Sequence, residues 1–333
     1  MRKPIDRRAF FKIAGHSLGI GVLYSVLPTA AQGEAGEMLR WLGEKNGEAM
    51  TPFSFVQLSD AHVGFNGPPD PLGTKAFERA VEMVNALPTA PDLVLFTGDL
   101  THDTEDKDVH AQRMKQFLEI SGRMKVGKVM YVPGEHDAGL DGGQMYREML
   151  GHTYYSFDHR GIHFVALDNV SRAKPEIGAE QLAWLKTDLA RFPKSAPIVV
   201  FTHRPLFDLR PEWEWFTSDG DDVMNVLAPY ENVTVLYGHI HRDHEHEIGH
   251  SHHYAARSLI FAFPDPEKVA DKKPIPFDKD HPFRNLGIRV VNEKGGVASA
   301  GSLAVQDVEL TVREFSGING VQQLLKDQAC NRL

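Results

Sequence analysis

Five short apolar runs, each ending in Asp, His or Glu, constrain this chain more than any other feature. Phe53–Leu58 leads into Ser59-Asp60-Ala61-His62, and Leu93–Thr97 into Gly98-Asp99. Lys128–Val132 leads, after Pro133, into Gly134-Glu135-His136-Asp137. Ile198–Thr202 leads into His203, and Val233–Leu236, after Tyr237, into Gly238-His239-Ile240-His241. Runs this short and this rich in Val, Ile, Leu and Phe read as buried strands. Helical patterns separate them, most clearly over Thr74–Leu87, Val109–Ser121 and Glu180–Phe192. Strands alternating with helices predict an α/β domain. Another run, Ile162–Leu167, follows Tyr154–Arg160 as the second half of a β-hairpin. Beyond His241 the chain reads mainly as strands, through Gly287–Val291 to Val308–Val312. No repeat or low-complexity segment interrupts it.

In open α/β sheets ligands bind in the crevice beyond the carboxyl ends of the strands. Five such ends would therefore bring Asp, His and Glu side chains to one place. In an extended chain alternate residues point the same way, so Asp60 and His62 are expected to share a face, as are His239 and His241. Glycines at 98, 134 and 238 remove side chains where backbone passes close to that place. Taken alone each motif has an ordinary explanation: a Gly-Asp is usually a turn, and a histidine after a strand is usually structural. It is the ordered set that points to a cluster of metal ligands, and two metals sharing a carboxylate can activate water for phosphoryl transfer.

Tyr237–His253 holds seven of the chain's 17 histidines. Only His239 and His241 follow the apolar run directly. His244 and His246 alternate with Glu245 and Glu247 along an expected strand, Gly249 is an expected turn, and His250, His252 and His253 lie on the returning segment. Pairing with the glutamates across that hairpin is the expectation, with a weak second metal site as the alternative. Trp213 and Trp215 read either as a substrate lid or as a packed strand. The acidic run Asp103, Glu105, Asp106, Asp108 reads as the solvated start of a helix.

The N-terminus reads as an address. Asp6-Arg7-Arg8-Ala9-Phe10-Phe11-Lys12 precedes a mixed apolar segment, Ile13–Leu27, and the small residues Thr29-Ala30-Ala31. This order is that of a secretory signal, and the paired arginines resemble the twin-arginine type. The expectation is a signal peptide over 1–31, a linker over 32–50, one domain over 51–315 and a tail over 316–333. The product would be exported folded to the periplasm, with the twin-arginine export machinery as a partner and no stable membrane anchor. The apolar segment carries three glycines and falls short of a spanning helix. Cleavage after Ala31 would remove five basic residues and one acidic one, taking the net charge from −9 to −13. That charge, and the lack of a basic run downstream, argue against a nucleic-acid partner. The one cysteine, Cys330, excludes an intramolecular disulfide framework and a Cys-rich zinc site.

The ordered motifs resemble those of the calcineurin-like metallophosphoesterases, over roughly Thr51 to Phe315. Asp60-Ala61-His62 and Gly98-Asp99-Leu100-Thr101 are most similar to the class III cyclic-nucleotide phosphodiesterase branch. His102 stands where purple acid phosphatases have a tyrosine ligand. The resemblance implies an α/β fold of four layers, a two-sheet β-sandwich flanked by helices. It implies two divalent or mixed-valence metal ions (Fe, Mn or Zn), with Asp60, His62 and His241 on the first and His203, His239 and residue 135 on the second. Asp99 would bridge, His136 would assist the leaving group, and Asp137 would orient His136. Arg204, in His203-Arg204-Pro205, would be either a phosphate clamp or a surface residue beside Asp208. The implied reaction is hydrolysis of small phosphate mono- or diesters by metal-activated water.

One position departs from the family pattern. Glu135 stands where the family has Asn. An added carboxylate neutralises metal charge and opposes an anionic substrate. Two readings stay open: a tuned ligand in an active enzyme, or a periplasmic metal- or partner-binding protein that keeps the fold with little turnover.

Overall fold

The computed structural model describes residues 53–293 and 303–310. The expected signal peptide, the linker, Cys330 and the tail lie outside the described residues.

The apolar runs are strands, and all but β3 (Val129–Val132), which is only partly buried, are buried on both faces. In β1 (Ser54–Leu58) and β2 (Leu93–Thr97), Phe55, Leu93 and Leu95 face the middle of the molecule, where they meet Phe164, Val199, Phe201 and Leu236 from a second sheet. Val56, Leu58, Val94 and Phe96 face the other way, onto helices. A strand apolar on both faces reads as a continuous run, which is why these stood out in the sequence. The first sheet has the order β11-β10-β1-β2-β3, with β3 at Val129–Val132, β10 at Gly287–Glu293 and β11 at Leu303–Glu309. The second has the order β4-β5-β6-β7-β9-β8. Its strands are β4 (Tyr155–His159), β5 (Ile162–Ala166), β6 (Pro197–Phe201), β7 (Asn232–Tyr237), β8 (His244–Ile248) and β9 (Ser251–Ala255). β4 and β5 form the expected antiparallel hairpin.

Helices cover both outer faces. On α1 (Lys75–Asn85), Phe77, Ala80, Val81 and Val84 recur at helical spacing and are all buried against the first sheet. Beside it lies α2 (Lys107–Ser121), capped by Asp106, whose Oδ1 accepts from the backbone N–H of Asp108 (2.8 Å) and Val109 (3.2 Å). Next come α3 (Glu135–Ala138) and α4 (Gln144–Leu150). The second sheet is covered by α5 (Ala179–Leu189) and α6 (Gly220–Leu227). The result is the expected four-layer sandwich. Helices α4 and α6 were not singled out in the sequence.

The expectation of mainly strands after His241 needs correction. β8 to β11 are there, but residues 256–286 hold neither helix nor strand. Prolines at 264, 266, 274, 276 and 282 account for this, since each lacks the N–H that a ladder requires. The segment wraps the strand ends instead: Leu259 N–H donates to the Asp60 carbonyl at 3.2 Å.

Candidate metal centre

The five motifs converge beyond the strand ends, but not by the expected geometry. Asp60 (φ 55°), His62 (40°), Asp99 (49°), His239 (66°) and His241 (52°) all have left-handed backbones. The pairs Asp60/His62 and His239/His241 therefore meet through tight turns, not along extended chain. Non-glycine residues avoid this region, and where it occurs the surrounding structure must hold it. Here Asp60 N–H donates to the Gly98 carbonyl at 3.1 Å and His62 N–H to the Asp99 carbonyl at 2.9 Å. The glycine expectation holds as close approach: a Cβ on Gly134 would collide with Asp99 Oδ1, and one on Gly98 with the His203 ring.

Two groups of ligand-type atoms result. Asp60, His62, Asp99 and His241 form one, and Asp99, Glu135, His203 and His239 the other, with the atoms of each within 4.8 Å of one another. Asp99 belongs to both. In the first, His62 Nε2 lies 3.1 Å from His241 Nε2 and 3.3 Å from Asp99 Oδ2, and His241 Nε2 lies 3.5 Å from Asp60 Oδ1. In the second, His203 Nε2 lies 2.8 Å from Glu135 Oε2 and 3.3 Å from Asp99 Oδ2. His239 Nδ1 lies 2.8 Å from Glu135 Oε1.

These groups fit metal ions. Three of the histidines commit one ring N–H to a backbone carbonyl: His203 Nδ1 to Thr97 (2.7 Å), His239 Nε2 to Glu214 (3.1 Å) and His241 Nδ1 to Phe261 (2.8 Å). The other nitrogen then points inward at carboxylate oxygens. His203 Nε2 and Glu135 Oε2 are buried and close, yet neither makes a hydrogen bond. Burial pushes His241 down to about 3 and His239 down to about 4, so neither supplies a proton at neutral pH. Burial also pushes Asp60 up to about 7; His203 pulls it down and Asp99 adds to the rise. Burial opposes a charge on His203, but Asp99 and Glu135 outweigh it and hold the ring well above the usual histidine range. Inward lone pairs and crowded carboxylates both call for cations between them.

Arg204 is buried, which removes the reading of a surface residue beside Asp208. Its Nη2 lies 3.4 Å from Glu135 Oε1, and its Nη1 donates to the Glu214 carbonyl at 2.9 Å. Asp137 does not orient His136. Its carboxylate accepts from the backbone N–H of Gly134 (2.9 Å), Leu100 (3.0 Å) and Thr101 (2.8 Å), and so ties two strand-end loops together. A carboxylate on the first turn of α3 faces those orphan amides, and the neighbouring ring points elsewhere. The His136 ring is held by Asp103 instead, whose Oδ1 lies 3.0 Å from Nδ1. Asp103 and His102 are the residues that the sequence reading missed. Asp103 was read as part of a solvated helix start, a role that Asp106 fills. No local pattern distinguishes the two aspartates.

Trp213 and Trp215 are buried with their rings 4.8 Å apart, and with Tyr237, Ile240 and Ala255 they form a small core, not a lid. In the β8–β9 hairpin His252 pairs with Glu247 at 3.1 Å, as expected. His244 Nδ1 meets the Tyr237 hydroxyl at 2.8 Å, and His246 stacks on Phe207 at 4.3 Å. None of these histidines joins a ligand group among the described residues.

A four-layer sandwich with this cluster at its strand ends defines a metallophosphoesterase architecture. The comparisons place it further. The calcineurin-like phosphoesterase family model matches residues 53–243, and the chain belongs to that family. It is 23% identical to a 3′,5′-cyclic-nucleotide phosphodiesterase of Nostoc sp., covering 64% of this chain and 80% of the relative. It is 27% identical to a probable glycerophosphodiester phosphodiesterase of Arcobacter nitrofigilis, covering 56% and 71%. Among solved structures, a dimetal phosphatase from Danio rerio superposes with TM-score 0.57 at 14% identity, covering 78% of this chain and 99% of that one, which shows the shared fold.

Proposed function

We propose that the chain hydrolyses small phosphate mono- or diesters at a two-metal site. The observation that carries this reading is the meeting of the two ligand groups at Asp99. Asp60, His62 and His241 would hold one ion, Glu135, His203 and His239 the other, and Asp99 both. Iron, manganese and zinc all suit such a mixture of oxygen and nitrogen donors. Two bound ions would supply Lewis acidity toward the phosphoryl oxygens and a water of lowered pKa.

The chain's own residues do the rest. His136 is partly buried at the rim, with Nδ1 3.0 Å from Asp103 Oδ1 and Nε2 3.9 Å from Asp99 Oδ2, the side from which it would meet a leaving oxygen. Burial opposes its charge, but Asp99, Glu135 and Asp103 outweigh that and raise its pKa above the ordinary value. That shift favours the protonated ring, the state that an acid needs. Arg204 offsets the charge of Glu135 and presents a guanidinium beside the site. The names of the relatives favour diesters. A phosphoesterase domain over 51–315, exported through the Arg7-Arg8 signal to the periplasm, completes the proposal.

Metal analysis and assay of the reconstituted protein on p-nitrophenyl phosphate and on its bis ester test this. Two equivalents of metal, both lost in Asp99→Ala, with turnover of at least one ester, are expected. His62→Ala should weaken mainly one. A single equivalent unchanged by Asp99→Ala refutes the two-metal site. Two equivalents without turnover of any phosphate ester favours the binding-protein reading that Glu135 first raised.

A further inference from the structure

His62 differs from the three other histidines of the two groups in what receives its second ring nitrogen. Theirs go to backbone carbonyls; His62 Nδ1 instead faces a side chain, His102 Nδ1, at 3.3 Å. Two facing imidazole nitrogens make a hydrogen bond only if one is protonated and the other bare. His62 turns Nε2 toward Asp99 and His241; with that nitrogen given to a metal ion, as the two-metal reading requires, its proton belongs on Nδ1. His102 must then be bare at Nδ1 and protonated at Nε2. A receiver for that proton is in place: Asp103 Oδ1 lies 3.3 Å from His102 Nε2. The same oxygen lies 3.0 Å from His136 Nδ1.

Backbone hydrogen bonds and ring packing surround this arrangement. His102 N–H donates to the Val63 carbonyl at 3.0 Å. Arg113 Nη1 donates to the carbonyls of His102 (2.9 Å) and Asp103 (2.7 Å). The His102 ring stacks on His136 at 5.0 Å and meets the edge of Phe65 at 5.0 Å.

We infer that His102 is a positioning residue: it accepts the Nδ1 proton of His62, fixes that ring with Nε2 inward, and shares Asp103 with His136. The chain Asp103–His102–His62 then does by side chains what the carbonyls of Thr97, Glu214 and Phe261 do for the other three rings. Partners of this kind raise the basicity of a ligand and typically change metal affinity about 10–100-fold when lost. The inference rests on the proposed two-metal reading. His62, His102 and His136 also offer ligand atoms within 4.8 Å of one another. A third ion there would require His62 to bind metal through both nitrogens and give up both ring protons, which the hydrogen-bonded arrangement avoids.

Titration of the purified protein with Co2+ against a competing chelator tests this, with the parent, His102→Phe and His102→Asn. Phe keeps the stacking and removes the acceptor; Asn restores an acceptor oxygen near the place of Nδ1. The expected result is about a 10–100-fold loss of affinity for one of two equivalents in His102→Phe, and near-parent affinity in His102→Asn. Folded His102→Phe that binds both equivalents like the parent overturns the inference. So does a third equivalent lost with His102, or an equal loss in both variants. If His102→Phe fails to fold, 15N spectra of the Zn2+-loaded parent decide: the inference requires His62 protonated on Nδ1 and His102 on Nε2. A parent that binds no Co2+ overturns the two-metal reading and this inference together. A parent that binds two and ignores His102→Phe overturns this inference alone.

Discussion

Replacing Glu135 by Asn tests the most unusual charge in the site. Glu135 lies 2.8 Å from both His203 and His239 and 3.4 Å from Arg204. A phosphoryl group ~4 Å from the carboxylate would feel ~4 kcal/mol of repulsion per unit charge at an effective dielectric of ~20. The Arg204 charge, one ion-pair length farther off, returns about half of that, ~2 kcal/mol. Glu135 is 26% exposed, so water screens these gross figures. Arg204 stays in place in Glu135→Asn, so only the carboxylate's share changes; screened by water, that share is ~1–2 kcal/mol, about 5–30-fold in rate. The assay is kcat/KM on p-nitrophenyl phosphate and its bis ester, at equal metal loading, across pH. Glu135→Asn should raise kcat/KM by that factor and move the pH optimum down, because the remaining cations favour ionisation of bound water. Glu135→Gln should recover less, its longer side chain placing the amide elsewhere. Arg204→Ala should lower kcat/KM about two- to fivefold, and the double variant should lie above the parent by a similar factor, because removing the carboxylate gains about twice what removing the guanidinium loses. Two results refute this reasoning. If Glu135→Asn abolishes a robust activity with both metals bound, the carboxylate has a specific chemical part. If the double variant is as slow as Arg204→Ala, Arg204 serves the substrate directly and not Glu135.

Replacing Arg7 and Arg8 by Lys should leave the protein in the cytoplasm; normal recovery of that variant from the periplasm refutes the export signal. Changing His244, His246, His250, His252 and His253 together to Gln should leave metal content at the parent value, and loss of an equivalent would reveal a further site. A pH effect on stability is expected at His163, buried between Asp158 (2.8 Å) and Asp188 (2.7 Å). Burial opposes its charge, but the two aspartates outweigh it and raise its pKa. A raised pKa stabilises fully below the unfolded value of ~6.5 and the benefit is lost as pH rises through the folded value, at ~1.4 kcal/mol per unit of displacement. Urea unfolding should therefore show His163→Gln costing more at pH 6 than at pH 9; an equal cost at both refutes the charged pair.

What the sequence made legible, and what it hid, follow from the range of the interactions involved. Val56, Leu58, Val94 and Phe96 are buried on one face, and Phe55, Leu93 and Leu95 on the other. Two buried faces leave an unbroken apolar run, so these strands and their order could be read directly. The Asp, His and Glu motifs were legible for the same reason, since each sits where such a run stops. The turns that converge them were not. The left-handed backbones at Asp60, His62, Asp99, His239 and His241 depend on hydrogen bonds between loops far apart in the chain. The partner of His136 was hidden for a similar reason. Adjacency pointed to Asp137, while the fold presents Asp103, more than thirty residues earlier, to the ring.

The same limit explains why residue 135 looked like an isolated departure. Read along the chain, a carboxylate at 135 and a guanidinium at 204 are separate oddities, the first hostile to an anionic substrate and the second without an assigned task. In the structure they face each other at 3.4 Å, both largely shielded from solvent. A buried carboxylate without a partner is costly, and so is a buried guanidinium, but the pair carries no net charge. The negative charge that Glu135 adds to the site is therefore about half offset by Arg204. Turnover then depends on how evenly the two charges are felt at the phosphoryl group, which is the quantity that the double variant measures.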